Sequence, residues 1–129
     1  MGLTTATIKL SNPKKPDLLP VKIKALADTG ALHLCIPQHV AIQLDLQEAE
    51  KREVTLADGS KKKVSYVGPI QMDFMNRKGF TGALVLGDET LIGAIPMEDM
   101  DLVVIPKTRT LTTNPESPNV PASVAKGLK

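Results

Sequence analysis

The chain has 129 residues, which fits one domain because domains average about 150 residues. Hydrophobic residues make up 42% and charged residues 23% of the sequence, so a core can form and wholesale disorder is excluded. The formal net charge is only +2 and the chain has two phenylalanines, one tyrosine and no tryptophan, so we expect no nucleic-acid partner.

The first part of the chain predicts two paired strands. Ala6, Ile8 and Leu10 alternate with their neighbours, which is typical of a half-buried strand. Prolines within residues 12–17 end this strand, because proline fixes its own φ and donates no hydrogen bond to a sheet. Alternation resumes over residues 18–26, so we expect a hairpin.

The next elements are shorter. Residues 28–30 interrupt the second strand, and the apolar run 31–36 predicts a third strand. Pro37 suits the start of a helix over residues 38–44, because its missing N–H is not needed there. Residues 48–52 are polar and are interpreted as a connection.

The middle of the chain predicts a second hairpin. Strands over residues 54–57 and 63–67 flank Asp58-Gly59, a turn signal that reflects the need for positive φ. Gly68-Pro69 is interpreted as a break after the second of these strands.

The remaining pattern is mostly strands. It predicts strands over residues 70–74, 80–86, 90–92, 102–105 and 110–113, and a second short helix over 94–100. The predicted fold class is all-β, a sandwich or barrel with one or two short helices, in one domain over residues 1–113. Residues 114–129 contain three prolines and are interpreted as a loosely packed or disordered tail.

The segment Asp28-Thr29-Gly30 is the first candidate for chemistry. It places a carboxylate where a buried strand ends, and Gly30 allows the backbone to turn tightly and approach a ligand. Because the flanking residues are apolar, we expect this carboxylate to be partly desolvated. Taken alone, the triplet is equally consistent with an ordinary turn.

Two further segments matter because of their order. Asp58-Gly59 alone indicates a hairpin turn, and Leu91-Ile92-Gly93 alone indicates a junction between a strand and a helix. Together with Asp28-Thr29-Gly30, they follow one another as a motif strand, a flap hairpin and an apolar pair with glycine before a helix.

This order resembles that of the retropepsin-like aspartic proteases, the single-domain relatives of retroviral protease. The resemblance covers about residues 4–113 and implies a closed β-barrel or sandwich with a flap hairpin. Its motifs here lie at residues 26–31, 54–67 and 91–93, and residues 36–46 and 91–102 look like the corresponding segments of bacterial-type members.

The resemblance implies an aspartic endopeptidase without cofactor or metal. Asp28 would be the catalytic carboxylate, and because the chain has one such motif, the second carboxylate would come from another copy in a C2 homodimer. Thr29 would hydrogen-bond across the dimer, and Gly30 would offer backbone groups to the substrate.

The resemblance also implies a peptide or protein substrate bound in an extended conformation under the flap. The flap tip would be formed by Asp58, Gly59 and Ser60, and pocket walls by apolar side chains. The implied substrate-binding residues are Ala31, Leu32, Asp58, Gly59, Ser60, Val67 and Ile92.

The sequence departs from the viral pattern at several positions. Leu32 and Ala94 stand where viral members often have Asp and Arg, so the ion pair between those positions is missing. The flap carries Lys61-Lys62-Lys63 where the viral flap is rich in glycine, and this run is typical of a solvated strand edge. We therefore expect a dimer whose strength and architecture differ from the viral ones.

Two alternatives stay open. One is a catalytically silent dimer of the same fold that acts as a peptide- or protein-binding module, since fold alone does not give function. The other is a cysteine or metal site built from His33, Cys35 and His39, although their spacing matches no zinc signature and a lone cysteine is usually a small buried hydrophobe.

The single cysteine also bears on location. No disulfide can form within the chain, which favours a reducing compartment, and we expect a cytoplasmic protein. Residues 1–10 lack the pattern of a signal peptide. No apolar run approaches the ~20 residues of a membrane span, so we expect no membrane partner.

Overall fold

A computed structural model describes residues 3–125, and within them the chain forms nine strands and two short helices. The helices have six residues each, and no helix in this range is long and apolar enough to cross a membrane. The mainly β class and both short helices are thus confirmed. The elements are β1 (Thr4–Ser11), β2 (Val21–Ala27), β3 (Leu34–Ile36), α1 (Gln38–Gln43), β4 (Gln47–Thr55), β5 (Lys61–Phe74), β6 (Arg77–Val85), β7 (Thr90–Ile92), α2 (Ala94–Asp99), β8 (Leu102–Ile105) and β9 (Thr110–Thr113).

Six strands close into a barrel. Their order is β1-β2-β7-β3-β6-β5, and β1 pairs again with β5 to close the ring. β4 pairs only with β5 and extends the sheet outside the ring as a seventh strand. β8 and β9 form a separate two-stranded sheet. The closed barrel leaves the β4–β5 hairpin as the projecting part of the sheet.

The barrel interior holds the core. Ile8 and Leu10 of β1 and Ile70 and Met72 of β5 are buried, because alternate side chains of a strand share one face. Val40 of α1 packs into the same cluster. The alternation that predicted these strands therefore marks the inward face of the barrel.

The β4–β5 hairpin corrects one prediction. Residues 48–52 were expected to be a connection, but they belong to β4 and pair with β5. Periodicity does not reveal this strand because both of its faces are largely exposed, so no apolar alternation marks it. Its exposed side chains form ion pairs in place of apolar contacts, including Lys51 with Glu48 and Arg52 with Glu50.

A second correction concerns Gly68-Pro69. It was expected to end a strand, but β5 continues through it and only shifts its register to β6 between Val67 and Ile70. The peptide bond before Pro69 is cis. One long strand therefore serves both the projecting hairpin and the barrel wall, which links the two parts directly.

Two early strands are shorter than expected. The second begins at Val21 rather than near residue 18, and Leu19 is 85% exposed outside it. The third begins at Leu34 rather than residue 31. The third strand starts late because the backbone of residues 31–32 forms hydrogen bonds to the start of α2.

The C-terminal segment is tied to the barrel as far as residue 122. Asp101 accepts hydrogen bonds from the Ser117 hydroxyl, from Asn114 Nδ2 at 3.1 Å and from the Ala122 N–H at 2.9 Å. The buried Arg77 donates to the Ser117 carbonyl. Most side chains of this segment are exposed, so polar contacts rather than apolar packing hold it. Residues 126–129 of the predicted tail lie outside the described residues.

Candidate active site

Asp28 follows the last residue of β2, between two neighbouring strands. β2 runs antiparallel to β1 and parallel to β7, and the Asp28 N–H donates to the Ile92 carbonyl at 3.0 Å. The Asp28 carboxylate accepts the Gly30 N–H at 2.9 Å. In the single chain Asp28 is exposed, which corrects the expectation of partial desolvation, since it lies beyond the end of β2 and the residues that follow it, Thr29 and Gly30, are exposed as well.

The loop after Asp28 is bonded to the start of α2. The Ala31 N–H donates to the Asp28 carbonyl at 3.1 Å, which closes a tight turn. The Ala94 N–H donates to the Ala31 carbonyl at 2.8 Å, and the Ile95 N–H donates to the Leu32 carbonyl at 2.9 Å. These bonds replace the strand pairing that was expected for residues 31–33, and they fix the backbone around the carboxylate.

Gly93 permits this contact. A Cβ atom at this position would lie 2.5 Å from the Leu32 carbonyl carbon and 2.5 Å from the His33 oxygen. Real Cβ atoms do not approach backbone so closely. Two of the three segments that suggested the resemblance, residues 28–30 and 91–93, are therefore brought together in the fold.

The predicted binding residues around Asp28 differ in exposure. Thr29 and Gly30 are exposed, Ala31 is half-buried and Leu32 is 58% exposed. The Ile92 side chain is fully buried in the core, so its carbonyl and not its side chain reaches the loop. In β7 it is the half-buried Leu91, and not Ile92, whose side chain lies on the outward face of the strand.

The third predicted segment forms the hairpin tip. Asp58 Oδ1 accepts the Ser60 N–H at 2.9 Å and the Ser60 hydroxyl at 2.6 Å, and these bonds lower the pKa of Asp58. Gly59 has φ +87°, which favours glycine. The tip is exposed and makes no hydrogen bond to the Asp28 loop among the described residues. Val67 lies further along β5 and is buried in the core.

An open cavity lies beside the Asp28 strand. β1 and β2 pair so that Thr5 lies opposite Leu26 and Thr4 opposite Ala27, the residue before Asp28. Leu3, Thr5 and Leu26 line a cavity of about 480 Å³ that extends to Asp88 and Glu89. Leu3, Thr5 and Leu26 were not among the predicted site residues. Alternation offered a signal for Leu26, because residues two apart in an extended chain lie on the same face.

The base of the hairpin also contacts the site loop. The His33 and Tyr66 rings lie 6.0 Å apart between their centres, in an edge-on arrangement. Tyr66 belongs to β5, and His33 precedes β3. Tyr66 was not among the predicted site residues, because a contact between residues so far apart in the sequence leaves no local pattern.

The cysteine and metal alternative gains no support. Within residues 3–125, no group of three or more His, Cys, Asp or Glu side chains could hold a metal ion. Burial raises the pKa of the Cys35 thiol, which disfavours a reactive thiolate. The Cys35 sulfur lies 3.9 Å from the His33 backbone carbonyl and makes no hydrogen bond to a histidine ring among these residues.

No protein-family model matches the chain, and a search of curated proteins finds no match. The functional interpretation therefore depends on the geometry around Asp28 and on the order of the three motifs. The geometry places one exposed carboxylate on a loop held by backbone hydrogen bonds, at the end of a strand whose Leu26 lines an open cavity.

Proposed function

We propose that this chain is a retropepsin-like aspartic endopeptidase of the single-domain bacterial type that acts as a homodimer. The observation that supports it most is the exposed Asp28 carboxylate on a loop whose backbone is bonded to the junction of β7 and α2. Rigid support of this kind is what a catalytic carboxylate needs, since small displacements of a reacting group reduce the rate strongly.

The proposed mechanism needs two catalytic carboxylates, and the chain has one Asp-Thr-Gly segment, so a second copy must supply the other Asp28. Asp28, Thr29 and Gly30 are all exposed, so two such loops can meet across a two-fold axis. The meeting would remove the two carboxylates from water and bring them close together. Two adjacent carboxylates then share one proton and titrate as a pair, because like charges at short range cannot both ionise cheaply.

The shared proton gives the pair two roles. The ionised Asp28 accepts a proton from a water molecule as its oxygen bonds to the carbonyl carbon of the scissile peptide. The protonated Asp28 donates its proton to the carbonyl oxygen. The product of this addition is a tetrahedral gem-diol. When its C–N bond breaks, the carboxyl that took the water proton gives it to the leaving nitrogen, and a gem-diol hydroxyl returns its proton to the other Asp28 as the new carboxylic acid forms. The proposed steps use no cofactor.

The substrate would lie extended between the hairpin and the two site loops. Its backbone would pair with free groups of the loop and of the hairpin, which is a common way to bind an extended peptide. A side chain next to the scissile bond would enter the cavity lined by Leu3 and Leu26. Closure of the exposed tip at residues 58–60 would exclude water.

The test compares peptide cleavage by wild type, Asp28→Asn and Asp17→Asn. Asp17 is an exposed carboxylate in the turn between β1 and β2, so its amide variant is a matched control. A mixed peptide library would be incubated at acid to neutral pH and products identified by mass spectrometry. Cleavage by wild type and Asp17→Asn alone is expected. Equal cleavage by Asp28→Asn would contradict the assignment, and no cleavage by the folded proteins would favour the binding module.

A further inference from the structure

The β4–β5 hairpin contacts the Asp28 loop through one aromatic ring. Tyr66 lies on β5, opposite Glu50 of β4 and Leu84 of β6. Its ring meets His33 edge-on, with an angle of 65° between the planes. Since His33 lies shortly after Asp28 and directly precedes β3, this contact joins the projecting hairpin to the loop that carries the carboxylate.

The position of the Tyr66 ring is fixed from β6. A Cβ atom at position 82 would lie 2.2 Å from Tyr66 Cζ and 2.3 Å from its hydroxyl oxygen. The ring therefore occupies the space that a side chain at Gly82 would need. Because Gly82 belongs to the barrel wall, the hairpin side chain rests directly on the barrel backbone.

A charged group completes the arrangement. The Arg52 guanidinium lies 3.7 Å from the centre of the Tyr66 ring, within the range of a cation–π contact. Arg52 Nε also donates to Glu50 Oε2 at 2.9 Å, which directs the guanidinium. Both strands of the hairpin thus contribute to one cluster at its base, formed by Arg52, Tyr66 and His33.

We propose that His33 and Tyr66 are positioning residues that set the placement of the flap hairpin over Asp28, and that protonation of His33 releases this placement. The inference rests on the proposed function for the role of the hairpin. The contacts themselves do not depend on that function. The edge-on contact of Tyr66 with His33 and the Arg52 guanidinium over the Tyr66 ring hold the hairpin whether or not a peptide is cleaved. The cluster acts on substrate binding through the hairpin and touches no reacting atom.

The charges around His33 define the pH response. The charge of Arg52 on β4 acts on His33, and Arg52 is itself paired with Glu50. The Tyr66 ring contacts His33 from β5, and the Cys35 thiol on β3 donates to the His33 carbonyl. A proton on His33 adds a second positive charge near Arg52. Burial and the Arg52 charge lower the pKa of His33 from 6.5. The placed hairpin is therefore most stable above about pH 6.5 and loses stability as the pH falls below that value.

The test measures hydrogen-exchange protection of the hairpin amides between pH 7 and 5, corrected for intrinsic exchange rates. Wild type should lose protection over residues 54–67 by about two- to fivefold as the pH falls. His33→Phe keeps an aromatic edge without a titrating group, so its protection should stay constant. Tyr66→Leu should show low protection at every pH, whereas Tyr66→Phe keeps the ring and should behave as wild type.

Cleavage kinetics give a second readout. In an active enzyme, the KM of wild type should rise by about two- to fivefold over this pH range relative to His33→Phe, with kcat little changed. The inference is overturned if His33→Phe and wild type respond to pH identically in exchange. If no peptide is cleaved, the proposed function fails while the exchange measurement still decides the inference.

Discussion

The Asp28 loop and the β4–β5 hairpin are attached to the barrel by different kinds of contact. The loop is held by backbone hydrogen bonds to the β7–α2 junction and by the close approach at Gly93. The hairpin shares strand β5 with the barrel wall, and its base contacts the loop through the Tyr66 and His33 rings. Its tip is bonded only within itself among the described residues. The Asp28 loop therefore cannot move without breaking backbone hydrogen bonds of the fold, whereas the hairpin tip can.

This separation suits the proposed reaction. A catalytic carboxylate requires a fixed position, whereas a flap must open to admit a peptide and close to exclude water. The ion pairs along the hairpin join exposed side chains, and such pairs contribute little stability. We therefore expect that opening the hairpin tip costs less free energy than displacing the loop, whose backbone hydrogen bonds would have to break.

The largest expected effect comes from adding one methyl group at the rigid junction. Gly93→Ala would force a Cβ to within 2.5 Å of backbone atoms of Leu32 and His33. We expect a loss of about 3 kcal/mol or more in the free energy of unfolding, with loss of activity. The same change at the hairpin tip, Gly59→Ala, meets no atom within 4 Å and should cost only about 1 kcal/mol for its positive φ. Equal losses in the free energy of unfolding, measured in urea, would contradict the difference between the tightly packed junction and the open hairpin tip.

An intermediate, pH-dependent effect is expected at Asp101, shortly after α2. Hydrogen bonds from the Ser117 hydroxyl, then from the Ala122 N–H and the Asn114 amide, lower the pKa of Asp101 from 3.8. A lowered pKa stabilises the fold above the ordinary value, and this contribution is lost as the pH falls through the lower folded value. Asp101→Asn should therefore destabilise the protein at neutral pH, and its difference from wild type should shrink below about pH 4.

The check is thermal unfolding of both proteins across that pH range. Asp17→Asn, at an exposed site in a loop, serves as the control for a change of net charge. A constant difference between Asp101→Asn and wild type from neutral to acid pH would contradict the stabilising role of the Asp101 carboxylate.

A smaller change in the free energy of unfolding, this time an increase, is expected at Thr90 of β7. Thr90 of β7 is 2% exposed, and its hydroxyl has no hydrogen-bond partner among the described residues. Valine has a similar shape and removes this unpaired group. Thr90→Val should raise the free energy of unfolding by about 1 kcal/mol. A measured loss of stability in urea unfolding would show that the hydroxyl is satisfied in solution.

The smallest effect is expected on the hairpin. Lys62 and Lys63 are exposed and form no ion pair in residues 3–125. Replacing both with glutamine should change the free energy of unfolding by less than about 0.5 kcal/mol. A loss above about 1 kcal/mol would mean that the hairpin is anchored more firmly than its contacts indicate.

The same contrast explains what could be predicted from the sequence. Strands that face the core show alternation, so Ile8 and Leu10 correctly indicated β1, and Met72 indicated the barrel part of β5 but not its continuity with the hairpin. β4 lacks an apolar face, so only its end, residues 54–55, was predicted as strand, and residues 48–52 were expected to be a connection. The motifs at residues 28–30, 58–59 and 91–93 stand out locally because each meets a local backbone requirement. The contact of Gly93 with the Asp28 loop and that of Tyr66 with His33 join distant positions, so only the fold reveals them.

The central claim is that two Asp28 carboxylates, one from each copy, form one site. The most direct test titrates a fixed amount of wild type with an increasing excess of Asp28→Asn and follows peptide cleavage. Mixed dimers would contain a single carboxyl group, so cleavage is predicted to fall toward zero as Asp28→Asn sequesters wild-type chains. Cleavage that stays constant while the two chains exchange partners would contradict the shared site.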